Sequence, residues 1–167
     1  MDDDQSFLPR PMLGTDESTI DSKGRILIRQ KLRDALGPDF VLYLGELGCV
    51  VAISAVNWGL KLDEVSSLAP WDPGLKAYTR LVLDTAETEL NCDAQGRVVI
   101  CSHLKREANL VDNVLVVGCY DHLEIWSVEE YDKYREDQDS YSNKRRQAIR
   151  EAVEMMNAEK SNSQYEL

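Results

Sequence analysis

The sequence predicts a mostly β fold with short helices, of the α+β class, made from two tandem copies of one module plus a C-terminal helix. Three observations lead there. Ile20-Asp21-Ser22-Lys23-Gly24-Arg25-Ile26-Leu27-Ile28 returns as Cys92-Asp93-Ala94-Gln95-Gly96-Arg97-Val98-Val99-Ile100, at an offset of 72 residues. After one inserted residue, Val41-Leu42-Tyr43-Leu44-Gly45 returns as Val114-Leu115-Val116-Val117-Gly118, and Ile53-Ser54 as Trp126-Ser127. Ahead of the second copy, Ala86, Thr88, Leu90 and Cys92 alternate with Glu87, Glu89 and Asn91, the two-residue period of a strand. A duplication of this kind makes the halves structurally equivalent, so each element is read twice.

In order along each unit, an extended segment leads into an Asp-x-x-Gly turn. There Gly24 or Gly96 takes the positive φ that other residues avoid. The β-branched runs Ile26 to Ile28 and Val98 to Ile100 read as second strands. A short helix over Gln30 to Leu36 stops at Gly37-Pro38. Strands follow at Phe40 to Leu44 and Cys49 to Ile53, matched by Val114 to Val117 and His122 to Trp126.

Each unit ends on a helix. Ser127 to Glu130 fits a capping box, in which the Ser side chain bonds the N3 amide and the Glu reaches back, with Trp126 and Tyr131 as hydrophobic staple. Ile53, Ser54 and Trp58 reproduce cap and staple in the first unit, with Asn57 replacing the Glu. The connector reads as a helix capped by Asp72, with Pro73 at its first position and Leu75, Tyr78 and Val82 facing inward. After a polar linker near Asp137 to Asn143, Ile149, Val153 and Met156 mark an amphipathic helix, and Ser161 to Leu167 is expected to fray. The expected divisions are repeat 1 at 15–60, a helical connector at 61–86, repeat 2 at 87–131, and the C-terminal helix and tail at 132–167.

Composition fits this reading: of 167 residues, 43% are hydrophobic and 29% charged, a globular rather than disordered balance. No apolar run approaches the ~20 residues that span a bilayer. The start, Met1-Asp2-Asp3-Asp4, reverses the basic region of a signal peptide, so neither membrane nor secretion is expected. With 30 acidic and 19 basic residues the net charge is −11, which argues against nucleic acid if spread evenly. It is not spread evenly. Residues 23–33 and 94–106 hold no acid and together carry +8 in 24 residues, while the other 143 carry −19. Both windows contain the repeated Gly-Arg turn.

Asp21-Ser22-Lys23-Gly24-Arg25, the parallel Asp93-Ala94-Gln95-Gly96-Arg97, the terminal Leu123-Glu124-Ile125-Trp126, and Leu13-Gly14 seven residues before Asp21 together resemble the two halves of MraZ proteins. These are bacterial regulators built from two SpoVT/AbrB-type domains, and the resemblance runs from about Leu13 to Tyr134. It implies a swapped-hairpin or double-split β-barrel in which the halves pack as a pseudo-dimer. It also implies a cyclic homo-oligomer in the cytoplasm or nucleoid, binding short tandem repeats in promoter DNA upstream of division and cell-wall genes. In that family the Asp-x-x-Gly-Arg loops face DNA.

The DNA-binding candidates are therefore Lys23, Gly24, Arg25, Arg29, Lys31, Arg33, Gly96, Arg97 and Lys105. Their chemistry fits independently. Glycine lets backbone approach a phosphate, and the Arg fork reads guanine O6 and N7 together. Lys23, Arg29, Lys31 and Arg33 suit phosphates, which position a protein without specifying sequence. Asp21 and Asp93 read as turn-capping acceptors. The competing role for Arg25 and Arg97 is structural, each paired with an acidic neighbour. Where the family commonly has Pro after the Ile of the second strand, Arg29 and Cys101 stand here, and Gln95 replaces a basic residue. The second loop is thus expected to be the weaker contact. The acidic extension Met1 to Arg10 precedes the usual family start and is expected to weaken affinity, above all for random-sequence DNA.

No catalytic residue and no cofactor is expected, since G-x-S-x-G, P-loop and H-E-x-x-H motifs are absent. Cys101-x-His103 and Cys119-x-x-His122 depart from the C-x₂₋₄-C with H-x₃₋₅-H spacing of zinc sites, so no metal is expected either. Two further function classes compete with DNA binding. One is a ring-forming protein-interaction scaffold that has lost DNA binding, suggested by the −19 outside the windows. The other is an antitoxin-like regulator with a toxin partner, which shares the fold class.

Overall fold

Each repeat contributes four strands, yet neither pairs its own first strand. The computed structural model describes residues 10–165. The acidic segment 1–9, which holds nearly all of the N-terminal extension, lies outside the described residues, as do Glu166 and Leu167. The first repeat runs β1 (Thr15–Thr19), β2 (Arg25–Leu27), α1 (Gln30–Leu36), β3 (Phe40–Leu44), β4 (Val50–Ser54) and α2 (Ala55–Val65). A connector with α3 (Pro73–Leu81) and a 3₁₀ turn (Leu83–Thr85) follows. The second repeat runs β5 (Glu87–Leu90), β6 (Arg97–Val99), α4 (Ser102–Glu107), β7 (Asn113–Gly118), β8 (His122–Ser127) and α5 (Val128–Glu136), and α6 (Tyr141–Tyr165) ends the chain.

Six strands form an antiparallel sheet in the order β1-β7-β8-β4-β3-β5, and β2 pairs with β6 in a separate ribbon. Exchanging the repeats turns this order into its own reverse. β1 of repeat 1 lies on β7 of repeat 2, with Thr15 opposite Val117 and Thr19 opposite Asn113. β5 of repeat 2 lies on β3 of repeat 1. The first strands are thus swapped between the two halves. Among the described residues the ladders do not close into one cylinder, because β1 and β5 remain edges.

The ribbon and the sheet share one core. Ile26, Ile28, Val98 and Ile100 pack with Leu42, Val50, Ala52, Val114, Val116, Leu123 and Ile125. A second core covers the outer sheet face, where Val41, Tyr43, Val51, Ile53 and Trp126 meet Trp58, Tyr78, Val82, Ile149, Ala152 and Met156. With cores on both faces, every residue of β3 is buried, which explains its unbroken apolar run. The helix that provides this second cover is longer than its sequence pattern suggests. It starts at Tyr141, inside the polar stretch read as linker, and stays helical to Tyr165, through the segment read as frayed. It lies against α3, where Gly74 permits the approach: a Cβ there would sit 2.9 Å from the Met156 amide nitrogen.

The caps follow the sequence pattern in part. Ser54 Oγ accepts from the Asn57 amide at 3.2 Å, Asp72 Oδ1 from Leu75 at 2.8 Å, and Ser127 Oγ from Glu130 at 3.3 Å. Trp126 and Tyr131 form the expected staple, ring centroids 5.2 Å apart. The Glu130 carboxylate departs from the box, accepting from Asn109 Nδ2 at 3.2 Å instead. β5 is also less regular than its alternation implies. Glu89 takes φ of 60° and the register against β3 shifts, the signature of a bulge at a sheet edge. Ser127→Ala removes a buried cap and is expected to cost about 1 kcal/mol. A lowered urea midpoint with unchanged slope is the expected readout.

Candidate nucleic-acid interface

Both Gly-Arg turns are built the same way. Asp21 Oδ1 accepts from the amides of Lys23 and Arg25, both at 2.9 Å, and Oδ2 accepts from Arg25 Nε at 2.8 Å. Asp93 Oδ1 accepts from the amides of Gln95 and Arg97 at 2.9 Å, and Oδ2 from Arg97 Nε at 3.2 Å. These bonds hold both carboxyls below the usual carboxylate range, the Arg25 amide acting first on Asp21 and the Arg97 amide first on Asp93. A depressed folded-state pKa stabilises the loop above the unfolded value, and that support is lost as pH falls through the folded value. The Lys23, Arg25, Gln95 and Arg97 amide resonances should therefore shift only below the ordinary carboxyl range. An NMR titration with midpoints at or above that range would contradict the loop geometry.

Each arginine thus has the acidic partner that the structural reading expects. Only Nε is used by the Asp, and among the described residues no partner meets the Arg25 terminal nitrogens. Arg97 differs, because its Nη2 is also bonded to Gln95 Oε1.

Pairing of β2 with β6 places the turns at opposite ends of one short ribbon, with Arg25 opposite Val99 and Leu27 opposite Arg97. Ile26 and Val98 point into the core, so the alternation sends Arg25, Leu27, Arg97 and Val99 outward together. The ribbon is sealed at both ends, where Ile28 N donates to Gly96 O at 3.0 Å and Ile100 N to Gly24 O at 2.8 Å. Gly24 and Gly96 adopt φ of 75° and 81°. A Cβ on Gly24 would lie 3.0 Å from Ile100 O, so the close approach as well as the turn requires glycine.

Each turn also receives a cation from the other repeat's helix. The Arg33 guanidinium of α1 lies on Gly96, close enough that a Cβ there would overlap it, and among the described residues the buried Arg33 Nε has no partner. Lys105 of α4 shares an open cleft with Lys23, Gly24, Ser102 and Arg106. The structure therefore groups Lys23, Gly24 and Arg25 with Lys105, and Gly96 and Arg97 with Arg33. Two candidates stand apart from these groups. Arg29 Nη2 is tied to Asp16 Oδ1 at 3.1 Å, and Lys31 is exposed on α1. Arg106 was not among the sequence candidates, although its place in the second acid-free window was a usable signal.

Comparison with known proteins agrees with this architecture. The family model for MraZ protein matches residues 12–69 and 84–152. The chain is similar to a transcriptional regulator MraZ of Caldanaerobacter subterraneus subsp. tengcongensis, 36% identical over 77% of this chain and 89% of that protein. One from Thermoanaerobacter sp. is 34% identical over 77% of this chain and 89% of its own length. A third, from Limosilactobacillus reuteri, is 33% identical over 74% of this chain and 86% of its own. Two matched segments, two swapped repeats and two Gly-Arg turns coincide: the chain belongs to the MraZ family.

Proposed function

We propose that this protein is a transcription regulator that binds promoter DNA through the outer face of the β2-β6 ribbon, reading short tandem repeats as a cyclic homo-oligomer. The observation that carries the reading is the outward pair Arg25 and Arg97, set in two acid-free windows of a chain whose net charge is −11. A ribbon of two strands fits the major groove, where the Arg fork reads guanine. The cations Lys23, Arg33, Lys105 and Arg106 around the turns supply phosphate contacts. The named function of the relatives, transcriptional regulation, supports the same reading. In it, residues 15–60 and 87–131 are the DNA-binding repeats, 61–86 and 132–167 the helical cover, and the promoters those of division and cell-wall genes.

Repetition around a ring raises avidity by roughly 10²–10⁴ when the DNA repeats match the spacing of the subunits. Exposed Val56, Leu60, Trp71 and Tyr120 provide apolar surface for subunit contacts. Fluorescence anisotropy with a tandem-repeat duplex and a scrambled duplex, over a salt series, tests the proposal. The repeat duplex is expected to bind more tightly, with log affinity falling linearly in log salt. No affinity for either duplex, in a chain that still elutes as an oligomer, would favour the scaffold reading.

A further inference from the structure

We propose that Cys119, His122 and Glu124 form a transition-metal site of the zinc class at the turn between β7 and β8. The ladder places Gly118 opposite Leu123, so Cys119 and His122 face each other across the last rung, where Cys119 N donates to His122 O at 2.9 Å. Directly opposed residues share a face, and Glu124 joins them two residues along β8. The result is that the Sγ, imidazole and carboxylate atoms all lie within 4.8 Å of one another.

Ligands at zinc bond lengths of 2.0–2.3 Å in tetrahedral geometry are roughly 3.5 Å apart, so small side-chain rotations complete the site. His122 is already oriented for it. Its Nδ1 lies 2.6 Å from Asp121 Oδ1, which leaves Nε2 toward Glu124 Oε2, 3.7 Å away. A carboxylate behind the ligating imidazole is the usual support of a metal-bound histidine. Glu124 is held in turn by Trp126 Nε1 at 3.1 Å through its other oxygen.

The surroundings suit a cation. Two carboxylates face the imidazole, Asp121 Oδ1 at Nδ1 and Glu124 Oε2 near Nε2. Asp121, His122 and Glu124 line an open cleft of about 610 Å³ under α2 and α6, which provides an entry path. Three protein ligands leave a fourth position for water. Bound metal would pin a turn that also anchors the segment before β1, through paired bonds between Met12 and Tyr120, both 2.8 Å.

Cobalt(II) and zinc(II), each added alone to the metal-stripped full chain, test the site. Cobalt is expected to bind at one equivalent with a thiolate-to-metal charge-transfer band and the strong visible bands of four-coordination, and zinc should displace it. Cys119→Ser should lose the charge-transfer band, and His122→Ala should lose binding, with unchanged far-ultraviolet circular dichroism. Asp121→Asn should weaken binding by roughly 10–100-fold. In the unsubstituted chain zinc should slow alkylation of Cys119 and leave Cys101 unaffected, a readout that needs no variant to fold. Absence of the charge-transfer band, its persistence in Cys119→Ser, or unprotected Cys119 would each overturn the site. None of these outcomes depends on DNA binding.

Discussion

An Arg25→Ala chain is expected to lose roughly 1–3 kcal/mol for the base contact removed, about 5- to 150-fold in affinity for a tandem-repeat duplex. Arg97→Ala is expected to lose less. The reason is structural as well as compositional. Asp21 takes only Nε of Arg25, and Lys23, Lys105 and Arg106 surround that turn. At the other turn Gln95 stands in the place of Lys23 and takes Nη2 of Arg97 as well. The double substitution should reduce binding to the level of a scrambled duplex, because phosphate contacts remain while base readout is gone. Lys23→Ala should weaken all sequences about equally and flatten the salt slope by about one. Anisotropy titrations of the four chains settle the order, and equal, unchanged affinity in both single variants would remove these loops from the interface.

Arg145→Met is expected to destabilise the fold by about 3 kcal/mol, a large effect for one helix residue. Arg145 is buried, and Nε donates to Gly45 O at 2.7 Å, Nη2 to Leu44 O at 2.9 Å, with a further bond from Nη2 to Leu81 O. It fastens α6 to the end of β3 and to the connector at once. Burial lowers its pKa, so the charge is held at some cost and depends on those carbonyls. Methionine fills similar volume but removes the guanidinium donor from all three carbonyls, of which Gly45 O keeps the Gly48 amide at 3.1 Å. The melting temperature should fall by roughly 6–12 °C. Arg150→Ala is the contrast: that exposed side chain meets Glu46 at 3.6 Å, and its loss should cost no more than about 0.5 kcal/mol.

Much of this molecule was readable residue by residue. α1 runs over Gln30–Leu36 and β3 over Phe40–Leu44, as their patterns predict, and Gly37 ends α1 with φ of 87°. The Asp21 and Asp93 turn caps, the Asp72 cap and the Trp126–Tyr131 staple also follow from local signals. The exceptions have identifiable causes. Glu130 satisfies Asn109, a residue 21 positions away, and Glu89 adjusts to a neighbour strand from the other repeat. Arg145 lies four residues before Ile149 on the same helix face, and no local signal marks a buried guanidinium there. Its burial depends on α6 docking against β3 and the connector. Cys119, His122 and Glu124 fail the spacing of zinc motifs, since hairpin pairing rather than sequence interval brings them together.

The sequence by itself determined the turns, the caps, the duplication and the two acid-free windows, because each arises from residues within a few positions of one another or from plain repetition. Which strand pairs with which was decided in three dimensions. Backbone edges are chemically alike, so only burial of a common core selects β7 for β1 and β3 for β5. That exchange also carries Arg33 to Gly96 and Lys105 to the cleft beside Gly24, making each basic turn the joint product of both repeats.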